Sequence, residues 1–155
     1  MLVHRKHNSA FYRENNGTFR CGRKKCALCT HVKEGLQFQD QDGSNTYSTS
    51  GHIRCTSQNL VYGIFCEKCA QVIYVGETKQ TLYARHLSNF SRIRTSHQDE
   101  ISKHFSSGNQ HSIKDYKVFG IQKTNREDEY RKAREVFWIS KLKTLRPHGL
   151  NTKSY

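Results

Sequence analysis

The chain has 155 residues, of which only 34% are hydrophobic, so it has room for one modest domain with at most a small appendage. Lys and Arg number 26 against 13 Asp and Glu, and the formal net charge of +13 favours a polyanionic partner such as nucleic acid. No apolar run approaches the roughly 18 residues of a membrane-spanning helix, and the N-terminal residues lack the apolar region of a signal peptide, so we expect no membrane partner.

The first part of the chain divides into a basic arm and a cysteine-bearing module. Residues 1–20 are polar and basic, and predict a mobile arm or linker that either contacts DNA or is merely solvated. The abrupt basic start also suggests a piece excised from a longer polypeptide. Residues 21–57 form the module, in which we expect strands around Leu36–Gln39 and Tyr47–Arg54, with a hairpin turn at Asp42-Gly43 between them.

Residues 58–155 show a clearer alternation of strands and helices. Asn59–Phe65 and Gln71–Gly76 are rich in β-forming residues and are separated by a short turn, which predicts an antiparallel hairpin. Periodicity and capping residues predict four further elements. The first is a helix that Thr78 or Gln80 opens and that runs to about Phe90, and the second is a helix over Gln98–Ser106 that ends at Gly108. A strand over Tyr116–Ile121 follows, and then a helix that Asn125 caps and that runs from Arg126 to about Lys143. The order predicts an α+β fold with a small three-stranded antiparallel sheet flanked by helices.

The first four cysteines lie at metal-ligand spacings. A chain without a signal peptide is expected in a reducing compartment, where closely spaced cysteines bind metals rather than form disulfides. Cys21, Cys26 and Cys29 lie in one short loop, and Cys55 is the expected fourth ligand. Tetrahedral zinc suits this set and would stabilise a small module.

The last two cysteines, Cys66 and Cys69, need two further ligands to bind zinc. His104 and His111 have suitable spacing and would fasten the hairpin to the second helix, with His86 and His97 as rivals. Two alternatives remain: these cysteines are buried small hydrophobic residues, or Cys55 joins them in a mixed set.

Two tyrosines and an arginine suggest phosphodiester chemistry. Hydrolysis requires a base to activate water and positive charge on the phosphoryl oxygens. Tyr62 and Tyr74 would lie on paired strands and converge on one face, although each alone is more typical of ordinary sheet packing. Because a tyrosine has a pKa of about 10, it needs nearby positive charge to act as a base, which Arg85 could supply while it also holds the phosphate.

The combined pattern resembles the GIY-YIG nuclease superfamily. The resemblance is carried by Val61-Tyr62-Gly63-Ile64, Tyr74-Val75-Gly76-Glu77-Thr78, Leu82, Arg85, Glu135 and Gly149-Leu150-Asn151. The Cys66–Cys69 pair between the tyrosines, the upstream Cys21–Cys29 cluster and the segment from Phe137 to Asn151 look most like the endonuclease domain of Penelope-like retroelement polyproteins. The resemblance covers the chain from about residue 20.

The resemblance implies a role for each matching residue. Tyr62 would be the general base or position the attacking water, and Tyr74 would orient the water and the phosphate. Arg85 would stabilise developing charge, Glu135 would bind one Mg²⁺ or Mn²⁺, and Asn151 would support the site from the tail. By itself, Glu135 in a Lys- and Arg-rich helix is more typical of surface ion pairs with Arg131 or Lys132.

The resemblance further implies a nuclear endonuclease that nicks target DNA for insertion by a covalently linked reverse transcriptase. Two groups of basic residues are expected to contact DNA. Arg20, Arg23, Lys24 and Lys25 belong to the zinc module, and Lys79, Arg92 and Arg94 flank the proposed site. The chain departs from the family pattern at Asn89, where relatives often carry a histidine that aids proton transfer. This departure motivates the main alternative, a zinc-stabilised nucleic-acid-binding module without cleavage, and a structure-selective repair nuclease is a third hypothesis.

Overall fold

The computed structural model describes residues 15–106 and 110–152, so most of the predicted basic arm and the predicted helix end at Gly108 lie outside the described residues. The strands of the described part are β1 Gly17–Thr18, β2 Gln37–Gln39, β3 Thr46–Ser48, β4 His52–Ile53, β5 Leu60–Cys66, β6 Gln71–Thr78 and β7 Tyr116–Lys123. The helices are α1 Leu82–Arg94, α2 Glu100–His104 and α3 Asp128–Leu142, with short 3₁₀ turns at Cys29–His31 and Ile113–Asp115.

A three-stranded antiparallel sheet organises the molecule, and its strands lie in the order β6-β5-β7. The central strand β5 is buried at nearly every position because both of its faces are covered. On one face, Tyr62 and Ile64 share a core cluster with Leu82 and Phe90 of α1. On the other face, Val61 packs in a second cluster with Trp138, Ile139 and Leu142 of α3. The result is a mixed α+β sandwich in which β6 forms one edge of the sheet.

The N-terminal module packs directly on β7. Its strands form two small sheets, parallel β1–β4 and antiparallel β2–β3. The predicted strand over Tyr47–Arg54 is wrong as one element, because Gly51 adopts a φ of 100° and divides it into β3 and β4. The amide of Ser50 donates to Ile121 O at 3.0 Å, and Lys123 N donates to Ser50 O at 2.8 Å.

The predicted mobile arm is wrong for its last residues. Gly17–Thr18 pair with His52–Ile53 in strand β1, so this part of the chain is held by main-chain hydrogen bonds. The buried Thr18 hydroxyl also accepts a hydrogen bond from Gly120 N of β7 at 2.8 Å. Residues assigned to the arm and to the module thus contact the same strand of the central sheet.

The helices begin at different residues from those predicted, for local reasons. Thr78 is still in β6, and its hydroxyl accepts from Gln80 N, so α1 begins after Thr81, which accepts from Ala84 N. The cap of α3 is Glu127, whose side chain makes no capping bond; Asn125 instead accepts from Glu127 N in the preceding turn. Within the described ranges, no helix has the length and apolar character needed to cross a membrane.

Candidate active site and metal centres

A cavity of about 690 Å³ lies at the β6 edge of the sheet, where the two helical layers meet. Three predicted catalytic side chains line it together: Tyr74 from β6, Arg85 from α1 and Glu135 from α3. Asn151 from the C-terminal tail lines it as well. Residues separated widely in sequence therefore meet at one concave site.

Tyr62 lies behind this cavity and does not line it. Only 3% of Tyr62 is exposed, and its ring packs edge-on against His86 with the centroids 4.5 Å apart. Burial raises the pKa of Tyr62 well above its usual value, with smaller contributions from Tyr74 and Tyr116, and the opposing effect of Arg85 is weaker. The phenol is protonated at neutral pH, which disfavours the predicted role of general base and leaves a positioning role.

Tyr74 is the tyrosine that reaches the cavity. It is partly buried, and burial followed by the charge of Glu135 raises its pKa, while Arg85 acts in the opposite direction. Its hydroxyl is therefore a hydrogen-bond donor at neutral pH, suited to orienting a water or a phosphate oxygen.

Arg85 places a positive charge at the lining of this cavity. Its Nε is buried and has no hydrogen-bond partner within the described structure. An unpartnered buried N–H is costly, so a phosphate oxygen that accepted from this group would restore a lost interaction. The predicted clamp on phosphate is consistent with this arrangement.

Glu135 is the carboxylate of the cavity. Burial, and then the negative charge of Glu77, raise the pKa of Glu135 to about 7, against smaller opposing effects from a hydrogen bond to the Glu77 backbone, Lys132 and Arg85. The surface ion pairs considered for Glu135 are not observed among the described residues: Arg131 bonds instead to Glu77 at 2.9 Å and Asp128 at 2.6 Å. A partly buried carboxylate that no ion pair engages among the described residues could accept a divalent metal.

Asn151 acts through the backbone of β6. Its Nδ2 donates to Val75 O at 2.9 Å, and its Oδ1 accepts from Val75 N at 2.9 Å and from the Thr144 hydroxyl at 2.7 Å. These bonds occupy both acceptor positions of Oδ1, so Asn151 fastens the tail beside Tyr74 and its oxygen is not available to a metal ion.

The hydroxyl of Tyr116 is a buried polar group behind α1 that the sequence did not predict. The Tyr116 hydroxyl bonds to His86 Nδ1 and accepts from Asn89 Nδ2 at 2.9 Å. Burial, then the charges of Arg85 and His31, lower the pKa of His86 to about 3, so this ring is neutral. Asn89, which also lines the cavity, is thus held by Tyr116. Nothing in the local sequence near Tyr116 signals this contact, because it depends on how β7 packs against α1.

The first predicted metal-ligand set comes together as expected. The sulfurs of Cys21, Cys26, Cys29 and Cys55 all lie within 4.8 Å of one another, and none forms a disulfide. Cys29 Sγ lies 3.5 Å from Cys21 Sγ and 3.8 Å from Cys55 Sγ. Sulfurs about 2.3 Å from a tetrahedral zinc ion are separated by about 3.8 Å, so this set could hold a metal ion such as zinc.

The second set joins Cys66 and Cys69 with His104 and His111, again within 4.8 Å. Cys66 Sγ lies 3.3 Å from His111 Nδ1, and Cys69 Sγ lies 3.7 Å from His104 Nε2. A tetrahedral zinc site separates sulfur and nitrogen ligands by about 3.6 Å. The structure thus favours the predicted histidines over the rivals His86 and His97, and Cys55 belongs to the first set, so the mixed arrangement is not observed.

The basic residues predicted to contact DNA lie at the surface in several places. Arg20, Lys24, Lys79 and Arg94 are exposed, and Arg23 and Lys25 line a cleft beside the first metal-ligand set. Arg92 lines the candidate active-site cavity, where it is paired with Asp99 at 2.9 Å.

Comparison of the chain with protein-family models, curated proteins and solved structures found no match. The cavity combines a guanidinium, a phenol and a carboxylate, which together can bind a phosphate oxygen, orient water and hold a divalent cation.

Proposed function

We propose that this chain is a metal-dependent DNA endonuclease of the GIY-YIG type. The observation that carries the proposal is the meeting of Tyr74, Arg85 and Glu135 in one cavity on a strongly basic chain. Arg85 holds a phosphoryl oxygen of the scissile phosphodiester and stabilises the charge that develops on it. Tyr74 orients the attacking water, while Tyr62 and Asn151 fix the strand from which Tyr74 projects.

Glu135 is the proposed ligand for one Mg²⁺ or Mn²⁺. The fit rests on its surroundings: burial and Glu77 both disfavour its charged form, and a bound divalent cation would reverse that preference. When bound, such a metal lowers the pKa of the attacking water and neutralises phosphate charge. Glu77 cannot readily join as a ligand, because its carboxylate is engaged by the buried Arg131 at 2.9 Å.

Zinc is the proposed occupant of both cysteine-containing sets, in a structural role. Each set supplies four ligands, which closes a tetrahedral site and leaves no position for a substrate. The second set links β5 and the turn after it to α2 and the segment that follows, and residues Asp99, Glu100 and Ile101 beside and within α2 form one wall of the cavity.

The biological role that we propose is nicking of target DNA in the nucleus for retroelement insertion. Cleavage would leave a 3′ hydroxyl for a covalently linked reverse transcriptase. This part of the proposal rests on the resemblance of the tyrosine, cysteine and tail motifs to Penelope-like endonuclease domains.

Nicking of supercoiled plasmid tests the enzymatic proposal. With Mg²⁺ or Mn²⁺ we expect open-circle product, which chelation abolishes. Glu135→Gln and Arg85→Ala should each lower the nicking rate by about 100-fold or more, with DNA affinity retained. Glu129→Gln removes an exposed carboxylate from the same helix and serves as the matched control.

The second candidate function is a zinc-stabilised nucleic-acid-binding module that does not cut. It is favoured by Asn89 and by the burial of Tyr62, which together leave the described cavity without an obvious base. DNA binding without nicking under any divalent metal would establish this alternative. A comparison of flap and linear duplex substrates separates both from a structure-selective repair nuclease, which would cut only the flap.

A further inference from the structure

A polar cleft of about 440 Å³ lies at the seam between the N-terminal module and the central sheet. We call it the seam cleft; residues 52–59 supply one wall and residues 123–126 supply the other. Among the described residues, the side chains that line it are all polar, and they include Arg54, Lys123 and Arg126 but no Asp or Glu. The active-site cavity differs, because Asp99 and Glu100 line it alongside its arginines.

The seam cleft continues into a second basic cleft beside the first metal-ligand set. Thr56 lines both, and the second cleft adds Arg23, Lys25 and the partly exposed ring of Tyr83, again with no carboxylate. The basic residues expected in the cysteine module therefore extend into a longer path that includes β7 and the turn before α3.

The backbone of the seam cleft is held by specific contacts. Thr124 N and the Thr124 hydroxyl both donate to Asn59 O, at 2.8 and 2.9 Å. Lys123 packs so tightly on Gly51 that a Cβ at Gly51 would lie 2.7 Å from Lys123 Cβ. The cationic side chains are thus presented from a fixed frame, which reduces the entropy lost when they bind a ligand.

A short chain of contacts joins the seam cleft to the active site. Asn59 lines the cleft, and its Oδ1 accepts from Arg131 Nη1 at 3.4 Å. Arg131 in turn pairs with Glu77, and Glu77 lines a further cleft with Glu135. Two side chains, Arg131 and Glu77, thus connect the cleft residue Asn59 to the metal ligand that we propose, Glu135.

We propose that the seam cleft binds the sugar–phosphate backbone of the DNA substrate, an inference that rests on the proposed function and deepens it. Three features select this partner. In the described lining, cations occur without carboxylates, which suits a polyanion, and the hydroxyl and amide groups suit phosphate and sugar oxygens. The same described residues offer no apolar anchor for a protein partner. Lys123, Arg126 and Arg54 contact phosphates outside the scissile position and set the direction in which the duplex crosses the cavity.

Salt-dependent binding of a duplex of about 25 base pairs, in EDTA so that nothing is cut, tests the inference. The double variant Lys123→Gln/Arg126→Gln should weaken binding about tenfold near 0.1 M salt and reduce the log–log salt slope by about 2, since each phosphate contact contributes about 0.9. The matched control, Lys68→Gln/Lys114→Gln, removes two exposed charges near the opposite end of β5 and β7 and should change the slope by less than about 0.5.

Equal salt slopes for the two double variants would overturn the inference. It would also be overturned if Lys123→Gln/Arg126→Gln weakened binding of an RNA duplex of the same length and left binding of the DNA duplex unchanged. Equal melting temperatures confirm that both variants are folded. If the double variant is unstable, the single variant Arg126→Gln replaces it, and we expect it to reduce the salt slope by about 1. The proposed function fails separately: a wild-type protein that binds DNA through the seam cleft but never nicks plasmid would retain the inference and refute the endonuclease.

Discussion

Gly76 is the residue on which the placement of Tyr62 depends. A Cβ added at Gly76 would lie 2.5 Å from the Tyr62 hydroxyl oxygen and 2.6 Å from its Cζ, so the paired strands place a glycine opposite the ring. Only a residue without a side chain leaves room for the phenol at this point of the sheet. The tyrosine and glycine motifs of the two strands are therefore one packing unit as well as two parts of a sequence pattern.

Gly76→Ala tests this unit. We expect the free energy of unfolding to fall by roughly 1–3 kcal/mol, because the buried ring must leave its position in a packed core. Urea denaturation measures the change, and nicking should fall in parallel as Tyr62 and its neighbours shift. In a Tyr62→Leu background the clashing atoms are absent, so the same substitution should cost at least about 1 kcal/mol less. Additive effects in this double-mutant cycle would show that the ring and the glycine do not compete for space.

Asp40 links the loop between β2 and β3 to the end of α3. Although burial alone would raise its pKa, hydrogen bonds from the Asn45 side chain, the Asn45 backbone and Lys143 outweigh burial, and the pKa of Asp40 lies well below its usual value. Lys143 Nζ lies 3.1 Å from Asp40 Oδ2, and Asn45 Nδ2 lies 2.8 Å from it. The carboxylate is therefore bound by several donors while only 2% of the residue is exposed.

The depressed pKa sets the sign of a pH dependence. Since the unfolded chain takes up a proton on Asp40 at a higher pH than the folded chain does, this group stabilises the fold above about pH 4 and loses that contribution as the pH falls further. Asp40→Asn should lower the melting temperature at pH 7 and flatten its fall between about pH 4 and pH 2. Asp42→Asn, an exposed neighbour that also contacts Lys143, is the control and should do much less. Parallel melting curves for wild type and Asp40→Asn across this range would contradict the assignment.

At the scale of elements, the junction of α3 with β6 is held by a buried arginine. Arg131 is only 2% exposed, yet its guanidinium bonds to Glu77 of β6, Asp128 of α3 and Asn59 just before β5. Glu135 lies one helical turn beyond Arg131, so this ion pair fixes how far the proposed metal ligand reaches toward Tyr74. The guanidinium of Arg131 is paired with Glu77 and Asp128, so it does not form the ion pair with Glu135 that helical spacing suggests.

Arg131→Met should destabilise the protein by roughly 3 kcal/mol, because it leaves the Glu77 carboxylate without its partner at a largely buried site. The double variant Arg131→Met/Glu77→Leu removes both charges and should recover most of the loss. Chemical denaturation compares the free energies, and the Mg²⁺ concentration needed for half-maximal nicking reports the position of Glu135. If Glu77→Leu failed to restore stability, the arginine would be acting by packing alone and not through its charge.

At the scale of the whole molecule, sequence spacing was sufficient for the metal-ligand sets and insufficient for the buried polar contacts. Cys21, Cys26 and Cys29 are close in the chain, so few folds could keep them apart, and the β5–β6 hairpin follows from its β-rich runs. Arg131 was instead considered as a surface partner of Glu135, because helical spacing gives no information on which charged residue faces the sheet. The contacts of Tyr116 and the division of the strand at Gly51 likewise depend on tertiary packing.

The two metal-ligand sets fasten different parts of the same fold. The first joins the loop around Cys26 to Cys55, ahead of α1, and the second joins the end of β5 to the region of α2. With only 34% hydrophobic residues, the chain has a modest core, so bound metal should contribute much of its stability.

Metal analysis of the purified protein should therefore give two zinc ions per chain. Cys26→Ser and Cys66→Ser should each lose one ion, and chelation should lower the melting temperature of wild type more than that of either variant.

The fourth ligand of the second site is tested by His111→Ala, which should lose one zinc ion. The control is His97→Ala, which changes an exposed histidine outside the set and should lose none. Because the second site holds the region that forms a cavity wall, Cys66→Ser should also reduce nicking, whereas Cys26→Ser should act mainly on DNA affinity through the basic loop that the first site orders. Loss of both zinc ions in either cysteine variant would show that the two sets do not bind independently.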